Sequence, residues 1–201
     1  MILARRSIRT RLCGFIFLGR LSNVDKNELI EQYRIKHKNH ESYGVGGSFS
    51  EIAELFDSLE PASSILDFGC GKGALVKQLR LMGFDAKGYD PAIRRFENFP
   101  DRKFDAVICM DVLEHIRRED VDDILQMMLE VDPKYIFLTI SHTTAINHLP
   151  NGRNCHETVE NPFWWWSKIG QNFPQWSAIG LEGFRPGTSR WLLKKSSEEQ
   201  Q

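Results

Sequence analysis

The chain has 201 residues, enough for one well-buried domain, and its 41% hydrophobic and 26% charged residues are typical of a globular protein. A net charge of −1 gives no argument for a nucleic-acid partner. The four cysteines stand far apart and form no CxxC pair, which argues against a zinc ribbon or a disulfide scaffold and favours a reducing, cytoplasmic location.

The positive charge is concentrated at the N-terminus. Residues 1–24 contain five arginines and no acid, whereas the remaining residues carry a net charge of −6. The apolar patch at residues 13–18 is too short to span a bilayer. We expect residues 1–24 to form a poorly ordered extension, with an organelle-targeting presequence or a surface-binding amphipathic arm as alternatives.

In chain order, the first predicted elements are two helices, at residues 27–40 and 49–59, separated by a glycine-containing loop at 42–49. A buried strand at 64–68, a helix at 73–82 ended by Gly83 and a strand at 84–90 follow. A third strand is expected at 104–111, a helix at 120–131 and a fourth strand at 134–141.

The C-terminal part begins with a long irregular segment, residues 142–160. Asn161 and Pro162 predict the start of a helix over 163–173, and the tail is expected to form two strands around a turn at Pro186 and Gly187. This order predicts an α/β fold with a doubly wound, mostly parallel sheet, a C-terminal antiparallel strand pair and helices on both faces. We expect one domain over 25–201, with a helical lid at 25–60 and a core at 61–195.

Three acids, Asp67, Asp90 and Asp111, lie at the carboxyl ends of predicted parallel strands, so they are expected around one crevice at this edge of the sheet. The loop "GCGKGA", residues 69–74, matches the GxGxxA pattern of dinucleotide-binding proteins, with Asp90 placed as a ribose acceptor. It also matches the D-x-G-x-G-x-G pattern of S-adenosylmethionine methyltransferases. Asp67 favours the second, because a carboxylate repels a pyrophosphate but attracts the cationic sulfonium and ammonium of S-adenosylmethionine.

"ILDFGCGKG", "GYDP" and "FDAVICMDVLEHI" resemble the first motif, the end of the second strand and the fourth-strand motif of class I S-adenosylmethionine-dependent methyltransferases. "YGVGG" and "LPNGRN" resemble a subgroup of small bacterial and phage members. The resemblance covers residues 42–195 and implies a Rossmann-like core. It departs from the family at residues 91–104, which leave little room for the usual helix and third strand, so we expect a reduced sheet edge.

The resemblance also implies roles for single residues. Asp67 and Gly69 would contact the methionine end of the cofactor, Gly71 would allow its close approach, and Asp90 would accept hydrogen bonds from the ribose. The complete cofactor-binding set is expected to be Asp67, Gly69, Cys70, Gly71, Asp90, Met110 and Asp111. For Asp90 and Asp111, ordinary turn formation at a strand end is the alternative.

Candidates for the acceptor site come mostly from the segment after the fourth strand. His156 is the first candidate for a base or positioning group, and the candidate substrate residues are Tyr43, His115, Arg153, Trp164 and Trp165. Consecutive tryptophans on a helix cannot share a face, so at least one is expected in the core. A metal alternative is raised by Glu114 and His115 together with His142, His148 and His156, because some RNA 3′-end methyltransferases place Glu and His ligands after the same fourth strand. Since Glu114 and His115 are adjacent rather than in E-x-x-H spacing, no metal is expected.

The sequence thus predicts a methyltransferase that uses S-adenosyl-L-methionine and an unidentified small-molecule or macromolecular acceptor. Transfer from a sulfonium is an in-line displacement, so the protein mainly positions the acceptor. Two alternatives remain: an NAD(P)-dependent oxidoreductase that uses the GxGxxA loop, and a catalytically silent subunit that binds S-adenosylmethionine.

Overall fold

The computed structural model describes residues 23–45 and 52–196, except for the side chains of residues 23–25, 54 and 180–185. Nearly all of the expected basic extension therefore lies outside the described residues, as do parts of the predicted loop at 42–49 and helix at 49–59. The proposed division into lid and core stays a prediction.

The described elements follow the predicted order. The helices are α1 (Asn23–Asn39), α2 (Ala53–Phe56), α3 (Ala74–Leu81), α4 (Val121–Leu129) and α5 (Pro162–Asn172). The strands are β1 (Ser64–Phe68), β2 (Asp85–Tyr89), β3 (Ala106–Met110), β4 (Tyr135–Ser141), β5 (Trp176–Arg185) and β6 (Thr188–Lys195). The predicted cap of α5 is present, because the Asn161 side chain accepts the backbone N–H of Trp164.

The six strands form one sheet in the order β2-β1-β3-β4-β6-β5. The first four strands are parallel, whereas β6 runs antiparallel to both β4 and β5. This confirms the predicted fold class. Residues 91–104, all of which the structure describes, contain a 3-10 turn at Arg94–Phe96 and no strand. The described sheet therefore ends at β2, which confirms the reduced edge.

Helices cover both faces of the sheet because side chains along the buried strands alternate between two apolar layers. Leu66 and Val107 pack in one layer with α4 and α5, whereas Ile65 and Ile108 pack in the other with α2 and α3. Within the described residues, no helix is long and apolar enough to cross a membrane.

Candidate active site

A cavity of about 320 Å³ lies at the carboxyl ends of β1, β2 and β3, where α1 covers the sheet edge. This is the position at which ligands bind to doubly wound sheets. Its walls include six of the seven predicted cofactor-binding residues, namely Gly69, Cys70, Gly71, Asp90, Met110 and Asp111. Two predicted substrate residues, Tyr43 and His115, also line it.

Asp90 fixes the glycine loop from the end of the neighbouring strand. One carboxylate oxygen accepts the backbone N–H of Gly71 at 2.9 Å, and the other accepts the N–H of Ala92 at 2.9 Å. Each oxygen keeps a further lone pair, since a carboxylate offers about four acceptor positions. Asp90 can therefore hold the loop and still accept hydrogen bonds from a ligand hydroxyl.

The glycine at position 71 is required by the chain itself. Its φ of +50° lies in the left-handed region, and a Cβ there would stand 2.4 Å from the carbonyl oxygen of Gly44. The segment after α1 is docked on this loop, because Gly44 O also accepts the N–H of Lys72 at 2.7 Å. Gly71 thus makes room for Gly44, and because Gly71 also lines the cavity, its predicted close approach to the cofactor stays a prediction.

A second tight approach shapes the loop at its start. Gly69 has φ +78°, and a Cβ there would meet a methyl group of Val112 at 2.3 Å. Val112 is brought there by Asp111, which adopts φ +51° at the end of β3. The Asp111 carboxylate accepts a hydrogen bond from the Thr139 hydroxyl at 2.9 Å, and the Asp111 backbone N–H donates to the same hydroxyl oxygen at 3.0 Å. Asp111 thus turns the chain as well as lining the cavity.

The electrostatics behind the loop favour a cation. Asp67 is 4% exposed, and burial together with the nearby charge of Asp90 raises the pKa of its carboxyl to about 7. Burial also raises the pKa of Asp90, although its two backbone hydrogen bonds and His37 oppose this. A positively charged ligand group would stabilise the ionised forms of these two neighbouring carboxyl groups. Asp67 itself is buried behind the loop and is not part of the cavity wall.

One face of α1 contributes residues that the sequence analysis missed. Leu29, Tyr33 and His37 line the cavity, and their i, i+4 spacing places them on one side of the helix. That spacing was the available signal. The Tyr33 hydroxyl donates to the carbonyl oxygen of Cys155 at 2.7 Å and lies 3.0 Å from Nδ1 of His115. Burial raises the pKa of the Tyr33 hydroxyl, so it remains protonated.

His115 stands at the end of the cavity beside Tyr33. Its Nδ1 lies 2.8 Å from the carbonyl oxygen of Cys155, and its ring packs edge-on against His156 with centroids 4.9 Å apart. Burial lowers the pKa of His115 to about 4, so the imidazole is neutral near pH 7. His156, the predicted base, does not line the cavity, but its ring contacts that of His115, which does.

Three predicted substrate residues lie away from the cavity. Trp165 is wholly buried in the core between α5 and the sheet. Trp164 lies on a separate surface depression, where the cationic groups of Arg118 and Lys168 are close to its ring. Arg153 forms a half-exposed ion pair with Glu157. Burial of Trp165 confirms the expectation that at least one of the consecutive tryptophans lies in the core, although the sequence did not indicate which one.

The fold and this site define a class of protein. A parallel sheet with an acidic strand end, a glycine loop after β1 and a second acid after β2 is the arrangement of class I S-adenosylmethionine-dependent methyltransferases. A family model described as "Methyltransferase domain" matches residues 37–182. The chain belongs to this family. The membership confirms the predicted resemblance and cofactor class, and it removes the oxidoreductase alternative.

Among curated proteins, the chain is similar to a ubiquinone biosynthesis O-methyltransferase of Rickettsia bellii in each of two strains, with 28% identity over 61% of this chain. The match spans 65% of the length of these relatives.

Among solved structures, a Burkholderia thailandensis 1,6-didemethyltoxoflavin-N1-methyltransferase with bound S-adenosylhomocysteine matches with TM-score 0.61, 12% identity and coverage of 88% of this chain and 92% of that one. The magnesium protoporphyrin IX methyltransferase of Synechocystis PCC 6803 matches with TM-score 0.55, 19% identity and 89% coverage of both chains. At these identities the likeness shows the fold.

Proposed function

We propose that this protein transfers the methyl group of S-adenosylmethionine to an oxygen atom of a small acceptor with a largely apolar body. The proposal rests on the side chains that line the cavity, most of which are apolar and a few of which are polar. Leu29 and Ile30 from α1 face the cavity together with Ile116 and Ile124, next to Tyr33 and His115. An apolar wall with a few convergent polar groups is typical of small-molecule sites.

The cofactor half of the proposal is supported by the charge of the loop region. The donor is cationic, and bound beside the glycine loop it would stabilise the ionised forms of the buried carboxyl groups of Asp67 and Asp90. Ribose hydroxyls would donate to the free lone pairs of Asp90, and the adenine would lie against Met110. The cavity volume of about 320 Å³ lies at the lower end of the range of small-molecule sites, which is roughly 300–1,000 Å³.

The choice of oxygen is supported by the curated relatives, which are O-methyltransferases. It is also supported by the polar end of the cavity, where the Tyr33 hydroxyl and the His115 ring offer hydrogen bonds to an acceptor hydroxyl. The acceptor oxygen attacks the methyl carbon, the carbon–sulfur bond breaks, and its electron pair passes to sulfur. The products are a methyl ether, S-adenosylhomocysteine and a proton.

The test combines binding and transfer on the full chain. Calorimetry with S-adenosylhomocysteine should show binding, and a panel of hydroxylated aromatic compounds should accept radiolabelled methyl in preference to matched amines. Ile124→Glu should abolish transfer while S-adenosylhomocysteine still binds, whereas Ile146→Glu, at a side chain 97% exposed and outside the cavity, should leave both unchanged. Cofactor binding without transfer to any acceptor would favour the catalytically silent subunit.

A further inference from the structure

Three potential metal ligands converge beside the cavity. One ligand atom each from Glu114, His115 and His156 lies within 4.8 Å of the others. Glu114 and His115 belong to the 3-10 turn Leu113–His115 that follows β3, whereas His156 comes from the segment between β4 and α5. The sequence-based argument against a metal rested on the adjacency of Glu114 and His115, and it could not show that, of the three distant histidines it considered, His156 is the one that the fold brings to this pair.

Backbone carbonyls fix the tautomer of both imidazoles. Nδ1 of His115 lies 2.8 Å from the carbonyl oxygen of Cys155, and Nδ1 of His156 contacts the carbonyl oxygen of Thr143. A carbonyl oxygen can only accept, so each Nδ1 carries the hydrogen. In the neutral rings, Nε2 then carries a lone pair. Metal-binding histidines usually donate their other ring N–H to a carbonyl or carboxylate in this way.

The third candidate ligand is also held in place. Glu114 is 0% exposed, and one of its carboxylate oxygens accepts the N–H of Ser141 at 3.1 Å. Its backbone carbonyl accepts the N–H of Thr158 at 3.0 Å, and the Thr158 hydroxyl donates to Ile116 O at 2.7 Å. These bonds fasten the segment that carries His156 to the turn that carries the other two residues.

A second set of bonds orders that segment internally. The Asn154 side chain accepts the N–H of Ala145 at 3.0 Å and donates to its carbonyl at 2.8 Å. The same oxygen of Asn154 accepts the N–H of His156 at 2.9 Å. The backbone on both sides of the cluster is therefore preorganised, which a binding site for a small ion requires.

We propose that Glu114, His115 and His156 form a site for a divalent transition-metal ion of the Zn²⁺ type. Two imidazoles and one carboxylate favour such an ion over Mg²⁺ or Ca²⁺, which prefer oxygen ligands alone. Three protein ligands leave a coordination position for water or substrate. Because His115 is part of the cavity wall, the ion lies at the polar end of the acceptor site.

The role of the ion rests on the proposed function and specifies its acceptor. A hydroxyl oxygen that occupies the open position gives up its proton to water more readily, because the ion stabilises the oxyanion. The oxyanion then attacks the methyl carbon, the carbon–sulfur bond breaks and sulfur takes the electron pair. We therefore expect acceptors that can coordinate a metal, above all aromatic compounds with adjacent oxygen atoms.

The experiment measures Zn²⁺ affinity of the tag-free full chain by competition with a chromophoric chelator, and uses the visible absorption of Co²⁺ to report imidazole ligation. His156→Gln should weaken Zn²⁺ binding at least tenfold and alter the Co²⁺ spectrum. His148→Gln is the matched control, since this exposed residue of the same segment lies outside the cluster. Glu114→Asp serves as a second variant, and thermal unfolding in chelator checks that each variant folds.

The outcomes separate this proposal from the methyltransferase proposal. Binding of Zn²⁺ that is equal in the natural chain and His156→Gln would overturn the metal site, even if S-adenosylhomocysteine still binds in chelator. Binding of metal at the cluster without any binding of S-adenosylhomocysteine would retain the site and overturn the proposed function. If both hold, chelator should suppress methyl transfer to a catechol, and added Zn²⁺ should restore it.

Discussion

The carboxylate of Asp90 binds the backbone N–H of Gly71 at 2.9 Å, joining the end of β2 to the glycine loop that follows β1. A residue that was expected to meet the ribose is therefore also a structural support for the loop. The other oxygen of the same carboxylate accepts the N–H of Ala92, so a substitution of Asp90 affects two backbone hydrogen bonds as well as the proposed ribose contact.

Replacing Asp90 should reduce cofactor affinity and stability together. In Asp90→Asn, only the amide oxygen can accept, so one of the two backbone N–H groups that the two carboxylate oxygens hold is left unpaired in a buried site. We expect a loss of about 1–3 kcal/mol of unfolding free energy and at least a tenfold weaker affinity for S-adenosylhomocysteine. Urea unfolding and calorimetry would measure these. Asp101→Asn, at an exposed side chain, is the control, and equal affinity of both variants would contradict the placement of the ribose.

Gly71→Ala should reduce the free energy of unfolding more than the same substitution at Gly83, another glycine with positive φ. At Gly71 the new methyl group meets Gly44 O, whereas at Gly83, with φ +92°, no atom lies within 4 Å. Gly83→Ala should cost only the backbone strain, about 1–2 kcal/mol. Gly71→Ala should add displacement of the segment after α1 and a large loss of S-adenosylhomocysteine binding. Equal unfolding free energies for the two variants would show that the contact with Gly44 is unimportant.

The raised pKa of Asp67 predicts a specific dependence of stability on pH. Between the unfolded pKa near 4 and the folded value of about 7, the folded state keeps a proton that the unfolded state has lost. The contribution of Asp67 to the free energy of unfolding therefore falls as pH rises through this interval and is constant above it.

Asp67→Asn should remove this fall in the free energy of unfolding with rising pH, because the amide does not ionise. Relative to the natural chain, the ligand-free variant should gain stability between pH 4 and pH 8, by roughly 4 kcal/mol at most. Urea unfolding at both pH values would measure the difference. A difference that does not change with pH would mean that Asp67 is ionised in the folded protein throughout the range.

The three consecutive tryptophans should differ sharply in their effect on stability. Trp165 is wholly buried, so Trp165→Ala leaves a cavity and should cost about 3–5 kcal/mol. Trp166 has 44% of its surface exposed, so Trp166→Ala should lower the free energy of unfolding by about 1 kcal/mol or less. Denaturant unfolding of both variants provides the comparison. A loss of methyl transfer in a stable Trp165→Ala protein would return this residue to the acceptor site.

Much of the fold was readable from the sequence because it depends on short-range patterns. Apolar runs ended by Asp67, Asp90 and Asp111 predicted parallel strands, and parallel strands bring their carboxyl ends to one edge whatever else the chain does. The glycine loop followed from residue type alone. Even the missing edge strand was predictable, since residues 91–104 are too few for a helix and a strand.

The part of the cavity that we propose for the acceptor was decided by tertiary structure. Tyr33 meets the carbonyl of Cys155 from 122 positions away, and His115 meets His156 through a segment without regular periodicity. The path of such a segment is set by scattered hydrogen bonds from side chains such as Asn154, and these leave no repeating signal in the sequence. The sequence therefore determined the strand ends and the glycine loop on which the cofactor is proposed to bind, whereas packing of α1 and residues 142–160 determined which side chains line the part of the cavity that we propose for the acceptor.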